Sequence, residues 1–279
     1  MFSRRPSRTW RTSGSLLLAV AVLCLLLPEI AAWGQDKKPA GKSTQARIEK
    51  RTYHFKEADK DMEYALFVPS TYNKERKTPL MVALHGLGSN PQQIIRYPKL
   101  TDLAEKHGYV VAAPMGYNPR GWYGARAPKT GKTDPPNLGE LSEKDVMNVL
   151  AIVRKEFNID ADRIYLMGHS MGGGGTWHLG LKYPDIWAGL APIAPAIFRP
   201  ATEVEKIKHI PVILVQGDQD KLVPVAGARR WAEQMKKLGM THEYIEVAGG
   251  DHVRVAFDNL PRIFEFFDKQ HRKEKAKGQ

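Results

Sequence analysis

Gly168-His169-Ser170-Met171-Gly172 sits between two runs of opposite character. Before it, Arg163-Ile-Tyr-Leu-Met167 is short, apolar and rich in strand formers; after it, Thr176-Trp-His-Leu-Gly-Leu-Lys-Tyr183 has helical spacing. A G-x-S-x-G pentapeptide between a strand and a helix is the context of a nucleophile elbow, a sharp turn that leaves a serine hydroxyl exposed. Side chains at Gly168 and Gly172 would collide with neighbouring backbone in such a turn. Glycine continues through 172–175. Each glycine costs a helix about 1 kcal/mol relative to alanine, so the run implies close approach of that helix to the sheet. The N–H groups at its start then point at any anion that develops beside Ser170.

Outward from this centre the chain alternates strands and helices. Residues 52–57 and 62–68, joined by Ala58-Asp-Lys-Asp61, predict a hairpin. Residues 80–84, 109–113, 163–167, 188–194 and 211–215 are apolar enough for strands buried on both faces, and 242–247 completes the set. Helical spacing covers 91–107 with an interruption at Pro98, 226–238 up to Gly239, and 253–268. Ser142-Glu-Lys-Asp145 looks like a capping box opening another helix. Between the strand at 109–113 and that box lies an irregular stretch, 114–141, with five prolines and five glycines. Loops of that length in a compact domain are usually functional. The pattern predicts an α/β fold: a mostly parallel, eight-stranded sheet with helices on both faces. Residues 195–210 read as a short polar connection, too short for a folded cap over the site.

The ends of the chain have other characters. Arg4, Arg5, Arg8 and Arg11 precede an apolar run from Ser15 to Leu27, and Ala32-Trp33-Gly34 offers small residues for cleavage. Residues 1–34 therefore read as a signal peptide, and the mature protein as secreted or periplasmic, with no stable membrane insertion after cleavage. Cys24, the only cysteine, falls inside that segment, so the mature chain has neither disulfides nor a cysteine nucleophile. Removing four arginines and one glutamate takes the net charge from +12 to +9. Residues 35–50 read as a disordered linker, 51–270 as the catalytic domain and 271–279 as a basic tail. No stacking-aromatic motif accompanies the basic charge, and an exported protein meets little nucleic acid, so no nucleic-acid partner is expected.

A serine nucleophile needs a base, a group to orient that base, and donors for the oxyanion. Among nine histidines, His252 stands in Gly249-Gly250-Asp251-His252, a turn between the last strand and the last helix. His85 and His169 also lie at strand ends, where they suit support of an oxyanion donor. Asp218 and Asp220, in the loop after 211–215, are both candidate orienting acids. The order serine, acid, histidine matches one fold and differs from two protease orders. No pair of histidines or carboxylates has metal-ligand spacing, and serine hydrolysis needs no cofactor.

With these residues in place, 51–268 resembles the α/β-hydrolase superfamily. Within it the chain is similar to secreted esterases of the polyhydroxybutyrate depolymerase and feruloyl esterase type, and to prolyl-oligopeptidase-like hydrolases. The acid loop of that family has the form G-x-x-D-x-x-V-P. Gly217, Asp220, Val223 and Pro224 match it, so the resemblance selects Asp220. His85-Gly86-Leu87 matches the family's H-G-x, which implies an oxyanion hole formed by the N–H groups of Leu87 and Met171. His85, Gly86, Gly168, His169 and Gly172 are then supporting residues. Tyr117, Trp122 and Tyr123, in the long loop, are candidates for an aromatic substrate wall. The resemblance implies a carboxylic-ester hydrolase acting on a small-molecule or polymer-linked ester, such as feruloyl or acetyl esters of polysaccharide or polyester oligomers. A prolyl-oligopeptidase-like peptidase and a catalytically silent binding protein are the alternatives.

Overall fold

The computed structural model describes residues 43–126 and 134–272, all within one unit, Lys42–Gln279. The expected signal peptide, the linker up to 42, loop residues 127–133 and the tail from 273 lie outside the described residues.

The hairpin forms as the pattern requires. β1 (Glu49–Phe55) and β2 (Lys60–Phe67) pair antiparallel, joined by a 3-10 turn, Lys56–Ala58, and Asp59 in the left-handed region at φ 46°. β3 (Thr78–Leu84) follows, then α1 (Pro91–Ile94) and α2 (Leu100–His107), which the interruption near Pro98 separates. β4 (Val110–Pro114) leads into the long loop, and α3 (Leu138–Glu156) ends it. β5 (Ile159–His169) and α4 (Met171–Lys182) flank Ser170. β6 (Gly189–Ile193), β7 (Val212–Gly217), α5 (Val225–Lys237), β8 (His242–Val247), α6 (Arg254–Asp258) and α7 (Leu260–Phe267) complete the chain.

One eight-stranded sheet results, in the order β1-β2-β4-β3-β5-β6-β7-β8. β2 pairs antiparallel with β4, and every pair from β4 to β8 is parallel. Alternation sorts each central strand between two apolar layers. Leu80, Val82 and Leu84 of β3 face one layer, while Met81 and Ala83 face the other. In β7, Val212 and Leu214 share the first layer and Ile213 and Val215 the second. Trp177 and Trp231 pack at 4.1 Å in the first layer, and Tyr165 stacks on Phe267 at 4.5 Å in the second. This is the α/β-hydrolase fold, and its parallel strands all end at the edge that carries Ser170.

Several elements depart from the expected boundaries, each for a physical reason. The expected linker is ordered from 43 onward: Thr44–Arg47 is a 3-10 turn, Gln45 donates to Thr101, and Arg47 pairs with Glu105 at 2.9 Å. The α3 helix starts at Leu138, a full turn before the supposed capping box. Ser142, Glu143 and Asp145 are buried within it, and their side chains bind other segments instead of the helix's own N–H groups. The closing helix breaks at Asn259, before Pro261, into α6 and α7. Residues 195–210 are less polar in place than in sequence, because a 3-10 segment, Ala201–Ile207, buries Val204 and Ile207. Arg272 pairs with Asp162 at 2.8 Å, so the expected tail is fixed to the body at its second residue.

Candidate active site

Ser170 adopts φ 59°, ψ −114°, a left-handed conformation that a non-glycine residue adopts only under constraint. The constraint is visible. Its N–H donates to Ile193 O at 2.9 Å, and its carbonyl accepts from Gly174 and Ala196, each at 3.0 Å. The glycines permit the packing. A Cβ on Gly168 would lie 2.2 Å from Gly172 O, and one on Gly172 would lie 2.1 Å from Leu84 O. One on Gly174 would meet Ala196 O at 2.4 Å, and one on Gly175 the Tyr123 ring at 2.6 Å. The run at 172–175 thus lets α4 start against β3, against the segment after β6 and against the long loop at once.

The loops after β7 and β8 converge on the same edge. A Cβ on Gly217 would lie 2.2 Å from Gly250 O, so the two backbones touch. Asp220 is buried and His252 stands beside it, with Nδ1–H donating to Oδ2 at 2.7 Å. Oδ1 of Asp220 accepts from the N–H groups of Leu222 and Val223, each at 2.8 Å, and Gln216 donates to Oδ2 at 3.0 Å. Burial pushes the Asp220 carboxyl upward, but the donors from Val223, His252 and Leu222 outweigh it and hold the group below its ordinary value. Asp218 serves the loop itself. Its Oδ1 accepts from Gly249 N–H at 2.7 Å and ties the two loops together.

Ser170 and His252 line one cavity of about 490 Å³, open to solvent. No direct hydrogen bond joins their side chains among the described residues; in such sites that bond often tightens only around substrate. Gly86 passes alongside, since a Cβ there would lie 3.5 Å from Ser170 Cβ. Among the described residues the N–H groups of Leu87 and Met171 have no acceptor, so both are available to an oxygen in the cavity.

The family described as "Esterase: Putative esterase" matches residues 56–265. The chain belongs to this esterase family. It is similar to a bifunctional acetylxylan esterase/xylanase, XynS20E, of Neocallimastix patriciarum, with 28% identity over 159 residues, 57% of this chain and 21% of the relative. It is also similar to feruloyl esterase B of Neurospora crassa, with 26% identity over 191 residues, 66% of this chain and 55% of the relative. The chain therefore spans well under two thirds of either curated relative. A solved structure of a thermostable esterase superposes with a TM-score of 0.66 at 28% identity, covering 82% of this chain and 64% of that one.

Within this esterase fold, the supporting residues take clear places. His85 is buried, with Nδ1 at 2.8 Å from Gly86 O and Nε2 at 2.8 Å from Met115 O. Burial pushes its pKa down against the pull of those carbonyls. It braces the backbone that carries Leu87. His169 supports the other side of the site: Nε2–H donates to the His252 carbonyl at 2.8 Å, and Nδ1 accepts from Tyr97 at 2.7 Å. Its partner is thus the histidine loop, not an oxyanion donor. Burial lowers the His169 pKa to about 4, so the ring is neutral and its tautomer fixed.

The proposed aromatic wall needs correction. Trp122 lines the cavity, facing Phe198 edge-on at 5.2 Å. Tyr123 is fully buried, its hydroxyl donating to His85 O at 3.2 Å, so it supports the site from beneath. Tyr117 packs against Phe55 at 6.0 Å and under Lys60, away from the cavity. Trp122 and Tyr123 hold positive φ of 59° and 52°, which sends consecutive side chains in directions no simple alternation predicts. Ser142 Oγ accepts from Tyr123 N–H at 2.9 Å and Asp145 from Gly116 N–H at 2.6 Å, fixing that backbone. Sequence reasoning missed Tyr97, Gln216, Phe198 and Leu222. Gln216 alone left a signal, a polar residue ending an apolar strand, which must find partners when buried.

Among the described residues no group of three or more His, Cys, Asp or Glu side chains is arranged to hold a metal ion, and no helix is long and apolar enough to cross a membrane.

Proposed function

We propose that this protein hydrolyses carboxylic esters through an acyl-enzyme on Ser170. The observation that carries the reading is the pair of buried Asp220 and part-buried His252, 2.7 Å apart, at the cavity into which the strained Ser170 opens. His252 removes the Ser170 proton as the oxygen attacks the ester carbonyl. The oxyanion accepts from the N–H groups of Leu87 and Met171, each such donor contributing about 2.7–4 kcal/mol to the barrier reduction. His252 returns the proton to the leaving alcohol, then activates water to release the acid. Asp220 holds the imidazole in the tautomer that keeps Nε2 free and stabilises its cation.

The rim supports a substrate class. Leu87, Phe198 and Leu222 are 57%, 51% and 73% exposed, and all three border the cavity. Exposed apolar side chains gathered at one opening mark a binding surface. Together with the named activities of the relatives, this supports esters borne on bulky or polymeric groups, feruloyl and acetyl esters among them. The basic, apolar start of the chain supports export, with residues 1–34 removed.

The test compares an aryl ester with the matched peptide anilide, using Ser170→Ala as the blank. Ester turnover should fall by ~10⁴-fold or more in the variant. Undiminished turnover in purified Ser170→Ala would refute the nucleophile, and preferential anilide cleavage by the wild type would make the protein a peptidase.

A further inference from the structure

Against two rings of the cavity wall lies a charge that the hydrolytic chemistry does not use. Arg126 lies with its guanidinium carbon 5.0 Å from the centre of the Trp122 ring and 4.7 Å from that of Phe198. Both rings line the cavity. The neighbouring guanidiniums are committed elsewhere: Arg120 to Asp134 at 2.9 Å and Arg199 to Glu203 at 2.9 Å. Among the described residues no carboxylate pairs with Arg126. Among the described residues no acidic side chain lines the cavity either, since Asp220 sits behind His252.

Packing against aromatic rings takes none of a guanidinium's N–H donors, which stay available to an acceptor. Those donors match a carboxylate bidentately. Rings that exclude water from one side of the group also strengthen any charge interaction made there. A neutral oxygen can accept from these donors too, but a carboxylate takes two of them at once in roughly twice as strong a contact, so the charge is what this position discriminates.

We propose that Arg126 makes the cavity selective for esters that carry a carboxylate beside an apolar or aromatic body, with the body against Trp122 and Phe198 and the carboxylate on the guanidinium. This rests on the reading of the cavity as an esterase site and narrows its substrates to acidic esters.

The test uses two matched pairs of esters. In one, the carboxylate is on the alcohol side (4-acetoxybenzoate against its methyl ester); in the other, on the acyl side (monophenyl glutarate against its methyl diester). Wild type should favour the acid in at least one pair by about five- to tenfold in kcat/KM, the scale of a partly screened charge-assisted contact. The preference should shrink as salt shortens the screening length below about 8 Å. It should vanish in Arg126→Gln and shrink but not vanish in Arg126→Lys, whose point charge cannot bind bidentately, each acid being read against the neutral ester of its pair in the same variant. A preference that survives in Arg126→Gln, or its absence from both pairs in the wild type, overturns the proposal. Calorimetric titration of Ser170→Ala with the same pairs reads the selectivity without turnover. If no ester is cleaved yet the acid still binds through Arg126, the hydrolytic reading fails and the anion site stands. If esters are cleaved and Arg126→Gln binds acid and neutral forms with the wild-type ratio, the reverse holds.

Discussion

Asp218 and Asp220 stand two positions apart in one loop, and their hydrogen bonds separate them. Asp218 spends an oxygen on the Gly249 N–H and acts as a turn tie. Asp220 spends one oxygen on two backbone donors, which lock its plane, and presents the other to His252 Nδ1. An amide at 220 would keep the shape but can present N–H to the imidazole, favouring the tautomer that blocks Nε2 as a base. Asp220→Asn should therefore lower kcat by ~10⁴-fold with the fold intact. Asp218→Asn, which keeps an acceptor for Gly249, should stay within a few-fold of wild type. Steady-state kinetics on both variants decides it; equal losses would deny Asp220 its orienting role. From sequence the two residues were equal until the G-x-x-D-x-x-V-P resemblance broke the tie, because a loop carboxylate's role depends on which donors the fold brings to it. Ser170 and His252 were more legible, since glycines at fixed offsets constrain backbone, and backbone constraint is written locally. Tyr97 and Phe198 were not, because their roles come from contacts with residues far along the chain.

Among helices, α4 and α5 show why a glycine must be read with its neighbours. In α4, a methyl group on Gly174 would meet Ala196 O at 2.4 Å, and the carbonyl belongs to backbone that cannot simply rotate away. In α5, a methyl group on Gly227 would meet nothing within 4 Å. Gly227→Ala should raise stability by about 0.5–1 kcal/mol, through helix propensity and the unfolded chain. Gly174→Ala should lower it by about 1–3 kcal/mol as the helix is pushed off the Ala196 segment. Denaturant midpoints at constant slope measure both, and a stabilised Gly174→Ala would mean that the close approach is not what holds α4 in place. The same distinction explains which elements were legible. Strands buried on both faces announce themselves as apolar runs, and the alternating order fixed the sheet. The start of α3 did not, because Ser142 and Asp145 are polar for the sake of the loop they hold and Glu143 for the sake of α4, which together mimic a helix-opening signal. Glu143 shows the competing demand: it takes His178 at 2.7 Å and Tyr183 at 2.5 Å, partners on α4 and just beyond it.

Across the whole molecule, two buried groups set opposing responses to acid. His169 has its pKa lowered by burial from 6.5 to about 4, and His85 is lowered in the same sense. For His169 the unfolded chain binds the proton first, so stability is lost as pH falls from about 6.5 to about 4. The loss is about 3 kcal/mol, since each pH unit between the folded and unfolded values is worth about 1.4 kcal/mol. Asp145, beneath the long loop, has its pKa raised by burial from 3.8 to about 6, despite donors from Tyr53, Gly116 and Tyr117. Here the folded protein binds the proton first, so a contribution of about 3 kcal/mol is present at low pH and lost as pH rises from about 4 to about 6. The two trends overlap between pH 4 and 6 and oppose each other there. Carboxylates held low, such as Glu143 at about 2, act below that window. Single substitutions should unmask each trend. In Asp145→Asn, which keeps an acceptor for Tyr53, stability should fall more steeply on acidification from pH 6.5 to 4 than in the wild type. In His169→Gln, whose amide can still donate to the His252 carbonyl, stability should fall less on acidification from pH 6.5 to 4 than in the wild type. Denaturant unfolding of the three proteins at half-unit intervals of pH measures the slopes. Parallel curves would mean that neither burial shifts a proton, and would leave the acid response to carboxylates held low, Glu143 among them.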